Sequence, residues 1–329
     1  MDKEDLKMEV TIVIPNYNGI EYLKRCLASL KEDANGVPAH IIVVDNGSTD
    51  GSPRWMEAHC PEVELIALKE NTGFPHAVNL GIRRAQTPYV ILLNNDTEVK
   101  SGFTGALLRA ITSSDRIFSV SAKMLDMKQE DILDNAGDFY CALGWAFARG
   151  KGKPADKYDT RAEIFSACAG AAIYRKSVFE EIGYFDEEHF AYLEDVDIGW
   201  RAKIYGYRNL YEPAAQVLHA GSASSGSKYN AFKANLSSAN SVYIIGKNMP
   251  LLQWILNLPL LLPGFFIKYL FFLKKGLGGI WLKGCIRGLK RCFSAQRRAN
   301  KVKFSFSHLG NYGKIQLELW RNLFLRLMN

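Results

Sequence analysis

The sequence lacks several signatures that would classify it at once. No C-x-x-C pair occurs, and the six cysteines (Cys26, Cys60, Cys141, Cys168, Cys285, Cys292) follow no regular spacing. That excludes a zinc-ribbon pattern and a disulfide framework, and it fits a reducing compartment. Neither G-x-G-x-x-G nor G-x-x-x-x-G-K-S/T is present, so the dinucleotide fingerprint and the P-loop are both excluded. No internal repeat is apparent. The N-terminal Met1-Asp2-Lys3-Glu4-Asp5 is charged and leads straight into a strand-like run, with no secretory h-region, so the body of the chain is expected to stay in the cytoplasm.

Acid is what the C-terminal part lacks. Residues 1–212 hold 33 of the 34 Asp+Glu and 24 of the 41 Lys+Arg, a net charge of −9, whereas the remainder sets 17 bases against Glu318 alone, a net +16. An acidic body joined to a basic tail implies an anionic partner for the tail. The bases alternate with apolar runs such as Leu258-Pro259-Leu260-Leu261-Leu262 and Phe265-Phe266-Ile267, which a bilayer interface needs and a phosphate-tracking surface does not. Anionic lipid is therefore the expected partner, and nucleic acid is not. From Leu251 to Leu273 the run is long enough to span a bilayer, but Gln253, Asn257, Pro259, Pro263, Gly264 and Lys268 interrupt it. Two interfacial helices on the cytoplasmic leaflet are expected in place of a straight span, with a buried C-terminal helix pair as the alternative. The length of 329 residues suits one large domain plus an appendage, and the boundary is read as 1–228 and 229–329.

The body alternates short apolar runs with helical patterns. Val10–Ile14, His40–Val44, Val63–Leu68 and Tyr89–Leu93 read as strands, and Ile20, Leu23, Leu27 and Leu30 form one stripe of a helix. Buried strands separated by helices predict an α/β fold with a mostly parallel sheet covered on both faces. Ligands of such sheets bind beyond the carboxyl ends of the strands. Three polar loops stand there: Pro15-Asn16-Tyr17-Asn18-Gly19, the run from Asp45 to Ser52, and Asn94-Asn95-Asp96-Thr97. Residues 121–165 read as a loop-rich insertion that contacts an acceptor. The small residues from Ser166 to Ala172, Gly170 among them, leave room either for a ligand or for tight helix–sheet packing. Tyr192–Gly206 is read as a helix with Leu193, Val196, Trp200 and Ile204 on its buried stripe, Tyr207–Leu218 as strand-like, and Ser222–Ser227 as a polar, flexible stretch.

Several residues carry chemistry by type and place. Asp96, flanked by Asn94 and Asn95, suits a divalent cation and its diphosphate, although the same string makes an ordinary turn. Glu194, Asp195 and Asp197 begin a helix, where the macrodipole alone would favour acids. Asp197 lies four residues before Arg201, the spacing of a helix ion pair, so it reads as structural. Asp195 has no local partner and is the better general base. His219, at a strand end, is either a metal or phosphate contact or a satisfied core residue. Asp45 heads a run suited to a base or ribose, or to an Asx turn.

Taken together and in order, these stretches resemble the family 2 inverting glycosyltransferases of the GT-A fold, in particular the rhamnosyltransferase-like branch of bacterial polysaccharide assembly. The matching pieces are Val13-Ile14-Pro15-Asn16-Tyr17-Asn18, Val43 to Gly51, Asn71-Thr72-Gly73-Phe74 with Asn79-Leu80-Gly81, Leu92 to Thr97, Gly183-Tyr184-Phe185-Asp186-Glu187, and Glu194-Asp195-Val196-Asp197 with Arg201. The resemblance implies that Pro15, Tyr17, Asp45, Asn71 and Gly73 hold the nucleotide, that Asp96 binds Mn2+ or Mg2+, and that Asp195 is the base; it raises His219 to a metal or diphosphate contact. Asn16, Asn18, Asn46, Asn79, Asn94 and Asn95 join the nucleotide-sugar candidates, and Gly170, Glu194 and Trp200 the donor and acceptor pocket. Two departures stand out. The D-x-D motif begins here with Asn94, which weakens the expected metal affinity, and no Q-x-x-R-W follows the acidic motif, as in single-addition enzymes rather than processive synthases. The implied partners are a nucleotide-sugar donor, with dTDP-rhamnose ahead of UDP-hexoses, and a lipid-linked glycan; a homo-oligomer stays open. The rival readings are a catalytically idle glycan-binding scaffold at a membrane and a nucleotidyltransferase.

Overall fold

The computed structural model describes residues 9–33, 36–221, 229–295 and 301–328. The polar stretch expected at Ser222–Ser227 lies outside the described residues.

The apolar runs form the sheet they imply. Strands β1 (Val10–Asn16), β2 (Ala39–Asp45), β3 (Glu64–Ala67) and β4 (Tyr89–Leu93) pair in parallel in the order β4-β1-β2-β3. They alternate with helices α1 (Ile20–Lys31), α2 (Ser52–His59) and α3 (Phe74–Arg84). Successive strand residues point to opposite faces. On β4, Val90 and Leu92 join the cluster containing Val78 and Ile82 of α3, while Ile91 and Leu93 join the cluster containing Leu23 and Leu27 of α1. Each such side chain, fully buried, contributes roughly 1.5–3 kcal/mol.

After the short β5 (Thr97–Val99) and α4 (Phe103–Thr112), the chain departs from the loop-rich reading of residues 121–165. It forms β6 (Ile117–Asp126), β7 (Gln129–Asn135), β8 (Asp138–Cys141), β9 (Trp145–Ala148) and β10 (Ala162–Ile164). The strand signal was masked because β6 buries Ser119, Ser121 and Lys123 along with its apolar residues. Ser119 is satisfied by Asn209 at 2.8 Å and Lys123 by Asp159. Of the small-residue run only β11 (Ala171–Arg175) is a strand, antiparallel between β4 and β6. After α5 (Lys176–Ile182) and α6 (Glu194–Ile204), β12 (Arg208–His219) pairs in parallel with β6 and, at its far end, antiparallel with β5.

The tail forms α7 (Ala231–Asn248), α8 (Leu251–Lys274), α9 (Gly278–Arg291) and α10 (Leu309–Met328). Ile244, Ile245, Leu261, Tyr312, Ile315 and Leu319 belong to the same apolar cluster as Phe165 and Val178 of the body. Contrary to the expected interruption, α8 runs unbroken through Pro259 and Pro263. Each proline removes an N–H that would bond four residues back. Both lie on the outward side of the helix, and the inner line is held independently: Asn257 exchanges bonds of 2.8 and 2.9 Å with Gln316, and Trp145 Nε1 donates to Gly264 O at 3.0 Å.

Candidate active site

The loops that follow β1, β2 and β4 meet at one rim and are tied by amides. Asn16, buried, donates to Asp45 Oδ2 at 2.8 Å and accepts from Asn95 Nδ2 at 2.7 Å, so one side chain joins all three. Asp45 uses its other oxygen on Ser48 N at 2.8 Å. Asn18, at φ 49°, accepts from Thr49 N at 2.8 Å. Asn46 accepts from Thr72 N and donates to Asn71 Oδ1 and Gly73 O. Gly73 sits at φ 89°, and an added Cβ there would lie 2.6 Å from Phe190 O, so glycine is needed for both reasons.

Above this network opens a cavity of about 620 Å³, within the size range of small-molecule sites. Ten of the sequence candidates line it: Pro15, Asn16, Tyr17, Asn46, Asn71, Gly73, Asn94, Asn95, Asp96 and His219. Phe190, Tyr192, Phe232 and Lys233 complete it from later in the chain. A second cavity, of about 720 Å³, lies among the tail helices, with no carboxylate on its walls.

Asp96 and His219 are brought together by the pairing of β5 with β12, in which Thr97 faces His219. His219 Nε2 lies 3.4 Å from Asp96 Oδ1, and Nδ1 lies 2.8 Å from Asp134 Oδ2. Burial opposes charge on the imidazole, but hydrogen bonds to Asp134 and Asp96 outweigh it and raise the group to about 9. Burial likewise opposes charge on Asp134, yet His219 and Lys151 bring it down to about 2. The charged imidazole is thus paired with both carboxylates; on loss of its Nε2 proton, that nitrogen and the Asp96 carboxylate, both lining the cavity, make a donor set that fits a divalent cation, with Asp134 holding the ring from behind. Asp96 and His219 would hold it, and Asp134 would orient His219.

Asp195 stands at the start of α6, its Oδ1 accepting from Val196 N at 2.7 Å. It shares a partly exposed cluster with Asp138 of β8 and Cys168, the ligand atoms lying within 4.8 Å of one another. It is not among the residues lining the cavity. Segment 168–170 borders both: Cys168 stands in the cluster, and Gly170 O accepts from Asn94 N of the cavity wall at 2.8 Å. Gly170 keeps this approach close, since a Cβ would fall 3.1 Å from Asn94 Nδ2. Burial raises both Asp138 and Asp195, and the charge of Asp195 raises Asp138 further. Burial, then Asp195, also raises Glu194 well above the carboxylate range.

Two candidates fall elsewhere. Trp200 is core, with 0 % exposure and its ring 5.0 Å from Tyr140 and 5.4 Å from Phe165, because the helix turns its stripe inward. Asn79 is buried, bonding Phe185 N, Phe185 O and Glu187, and so holds segment 185–187 in place of a nucleotide. Asp45 and Asn18 organise the loops from outside the cavity wall. Asp197 does bond Arg201, at 3.0 Å, and also Lys247 and Asn248 of α7. Sequence reasoning missed Asp134 and Asp138, which lay in a stretch read as loop, and Lys247, whose partners are too remote for any local pattern.

The sheet and its polar rim have the arrangement of the GT-A fold. Residues 11–183 match glycosyl transferase family 2, and the chain belongs to that family. It is 28% identical over 242 residues, 65% of this chain and 77% of the relative, to N-acetylglucosaminyl-diphospho-decaprenol L-rhamnosyltransferase of Mycobacterium tuberculosis. It is 29% identical over 214 residues to a pre-mycofactocin glycosyltransferase of the same organism, covering 64% of this chain and 42% of that one. Among solved structures, GalNAc-T7 with UDP, GalNAc and Mn2+ aligns with a TM-score of 0.59 at 15% identity, covering 74% of this chain and 48% of that one. A mannosyltransferase of Pyrobaculum calidifontis in complex with GDP-Man and Mn2+ gives 0.52 at 16%, covering 87% and 88%. At these identities the structural likeness concerns the fold.

Proposed function

We propose that the chain moves a sugar, with inversion, from a nucleotide diphosphate sugar to a hydroxyl of a lipid-linked glycan during cell-surface polysaccharide synthesis. The rhamnosyltransferase relative, whose name specifies L-rhamnose and an N-acetylglucosaminyl-diphospho-decaprenol acceptor, supports a rhamnose donor, which we take as dTDP-rhamnose ahead of a UDP-hexose. Asp195 takes the proton of the acceptor hydroxyl as that oxygen bonds the anomeric carbon. The bond to the diphosphate breaks on the opposite face, and the nucleoside diphosphate leaves with the electron pair. Such a positioned base contributes roughly a hundred- to ten-thousand-fold. Asn16, Asn46, Asn71 and the backbone of Gly73 orient the nucleotide. A divalent cation, Mn2+ or Mg2+, held by Asp96 and His219 would supply positive charge against the departing diphosphate.

The observation that carries this reading is a partly exposed carboxylate, raised by burial and joined through segment 168–170 to a cavity that ends in Asp96 and His219. The test is a panel of nucleotide sugars with a synthetic lipid-diphosphate acceptor, with and without Mn2+ and Mg2+. Metal-stimulated release of nucleoside diphosphate with a glycosylated lipid is expected. Release of pyrophosphate would identify a nucleotidyltransferase, and binding without turnover an idle scaffold; either sinks the proposal.

The enzyme acts at the cytoplasmic face of a membrane as a peripheral protein. Helix α8 is inside out: Gln253 and Asn257 face inward, while Leu251, Leu252, Ile255, Leu262, Phe266 and Ile267 face outward at 50 to 78 % exposure. It is long and apolar enough to cross a bilayer, but its inner line is bound to the body and to α10. An in-plane position suits both facts, with the exposed Lys283 and Lys290 of α9 toward anionic headgroups at about 1 kcal/mol each.

A further inference from the structure

Backbone strain in this molecule concentrates beside the base. Phe190, Tyr192 and Leu193 adopt φ of 59°, 71° and 69°, a region that non-glycine residues hold only where their surroundings impose it. Phe190 and Tyr192 line the cavity, and Leu193 leads directly into the turn of α6 that carries Asp195. The segment is held from one side by the nucleotide loop, Phe74 N donating to Phe190 O at 2.8 Å. From the other side it is held by the tail. Asn240 of α7, fully buried, directs its Nδ2 at the carbonyls of His189, Ala191 and Tyr192 at 2.9, 2.8 and 2.8 Å. Three carbonyls require a donor, so the amide has only one sensible orientation. Its Oδ1 accepts from Arg291 Nη1 of α9 at 2.9 Å. Helix α9 packs closely on α7, since added Cβ atoms at Gly284 and Gly288 would collide with Ser238 and Ala239.

We propose that Asn240 is a positioning residue for sugar transfer: it clamps the strained segment 189–193, which sets both the cleft wall and the direction of Asp195, and Arg291 ties that clamp to α9. The tail is then part of the catalytic apparatus as well as an anchor. This rests on the reading of Asp195 as the base.

The test uses the full chain in vesicles. Asn240→Asp keeps the size and still accepts from Arg291 but presents oxygen to three carbonyls; Asn240→Ala removes the clamp; Arg291→Gln removes only the outer tie and serves if the first two fail to fold. Donor binding, kcat per donor-binding site, and amide exchange of residues 189–197 are measured. The expected result is faster exchange confined to that segment, with kcat lowered by about a hundredfold for the Asn240 variants and donor Kd within about threefold. A purely structural role would lower the number of binding sites and leave kcat per site untouched. Unchanged exchange, or faster exchange with wild-type kcat per site, overturns the proposal. If the wild type itself transfers no sugar, the functional reading fails separately, and the exchange data alone decide whether Asn240 clamps the segment.

Discussion

Asp138 and Asp195, from β8 and the first turn of α6, occupy one site, their carboxylate oxygens within 4.8 Å of each other, and burial raises both. Two buried carboxylates this close cannot both ionise readily. Since Asp195 must be unprotonated to act as base, and its pKa is raised by burial, activity is lost as pH falls through a value above the ordinary carboxylate range. The acid limb of kcat/KM against pH reports it. Asp138→Asn can donate to Asp195 and should leave that limb in position, whereas Asp138→Ala has no donor and should move it to higher pH. Asp195→Asn should lower kcat by roughly 10²–10⁴-fold with nucleotide binding intact; near-wild-type turnover would retire the assignment.

Asp134 lies behind His219 and should matter for the same step at a distance. Asp96→Ala and His219→Ala are expected to abolish the Mn2+-dependent part of nucleoside diphosphate binding, measured by calorimetry. Asp134→Asn, which leaves both facing groups in place, should weaken metal affinity by about 10–100-fold. Equal binding with and without Mn2+ in the wild type would remove the metal from the mechanism.

Lys247 is fully buried and bonds both Asp186 and Asp197, at 2.7 and 2.8 Å. Lys247→Met leaves Asp186 without that cation and Asp197 with Arg201 alone, and should cost about 3–5 kcal/mol in denaturant unfolding at neutral pH. In both acids burial favours the neutral form, but Lys247 more than offsets it and holds them below their ordinary value of 3.8. The stability they contribute is therefore present above that value and is lost as pH falls below it through the folded range. A variant as stable as the wild type would show that the triad is not what holds α7 to α6.

Leu261 and Leu262 are neighbours with opposite surroundings, at 4 % and 64 % exposure. Leu262→Gln combined with Phe266→Gln should leave the melting temperature within a few degrees but reduce flotation with anionic vesicles. Leu261→Lys should destabilise the packing of α8 on the body. Vesicle binding unaffected by the outer pair, or abolished by salt alone, would remove the apolar contribution to anchoring.

The parallel half of the sheet and its three polar loops were legible because their signals are local. A β-branched run ending in Pro15-Asn16, or one ending in Asp45-Asn46-Gly47, declares both strand and loop within a few residues. The region from β6 to β10 was not, since Ser119, Ser121 and Lys123 disguise a strand whose polar groups find partners far along the chain. Trp200 reads equally as core or pocket wall until the neighbours of its helix are known.

What the amino-acid order alone determined is which residue types stand at the strand ends, that one half of the chain is acidic and the other basic, and that Asp195 lacks a helical partner while Asp197 has one. What only the folded chain decided is who stands opposite whom. The registers of β5 with β12 and of α7 against segment 186–197 put His219 on Asp96 and Asn240 and Lys247 beside the site, and the packing of β8 against α6 puts Asp138 on Asp195. Such pairings depend on the summed packing of elements more than forty residues apart in sequence, and no short-range period encodes them.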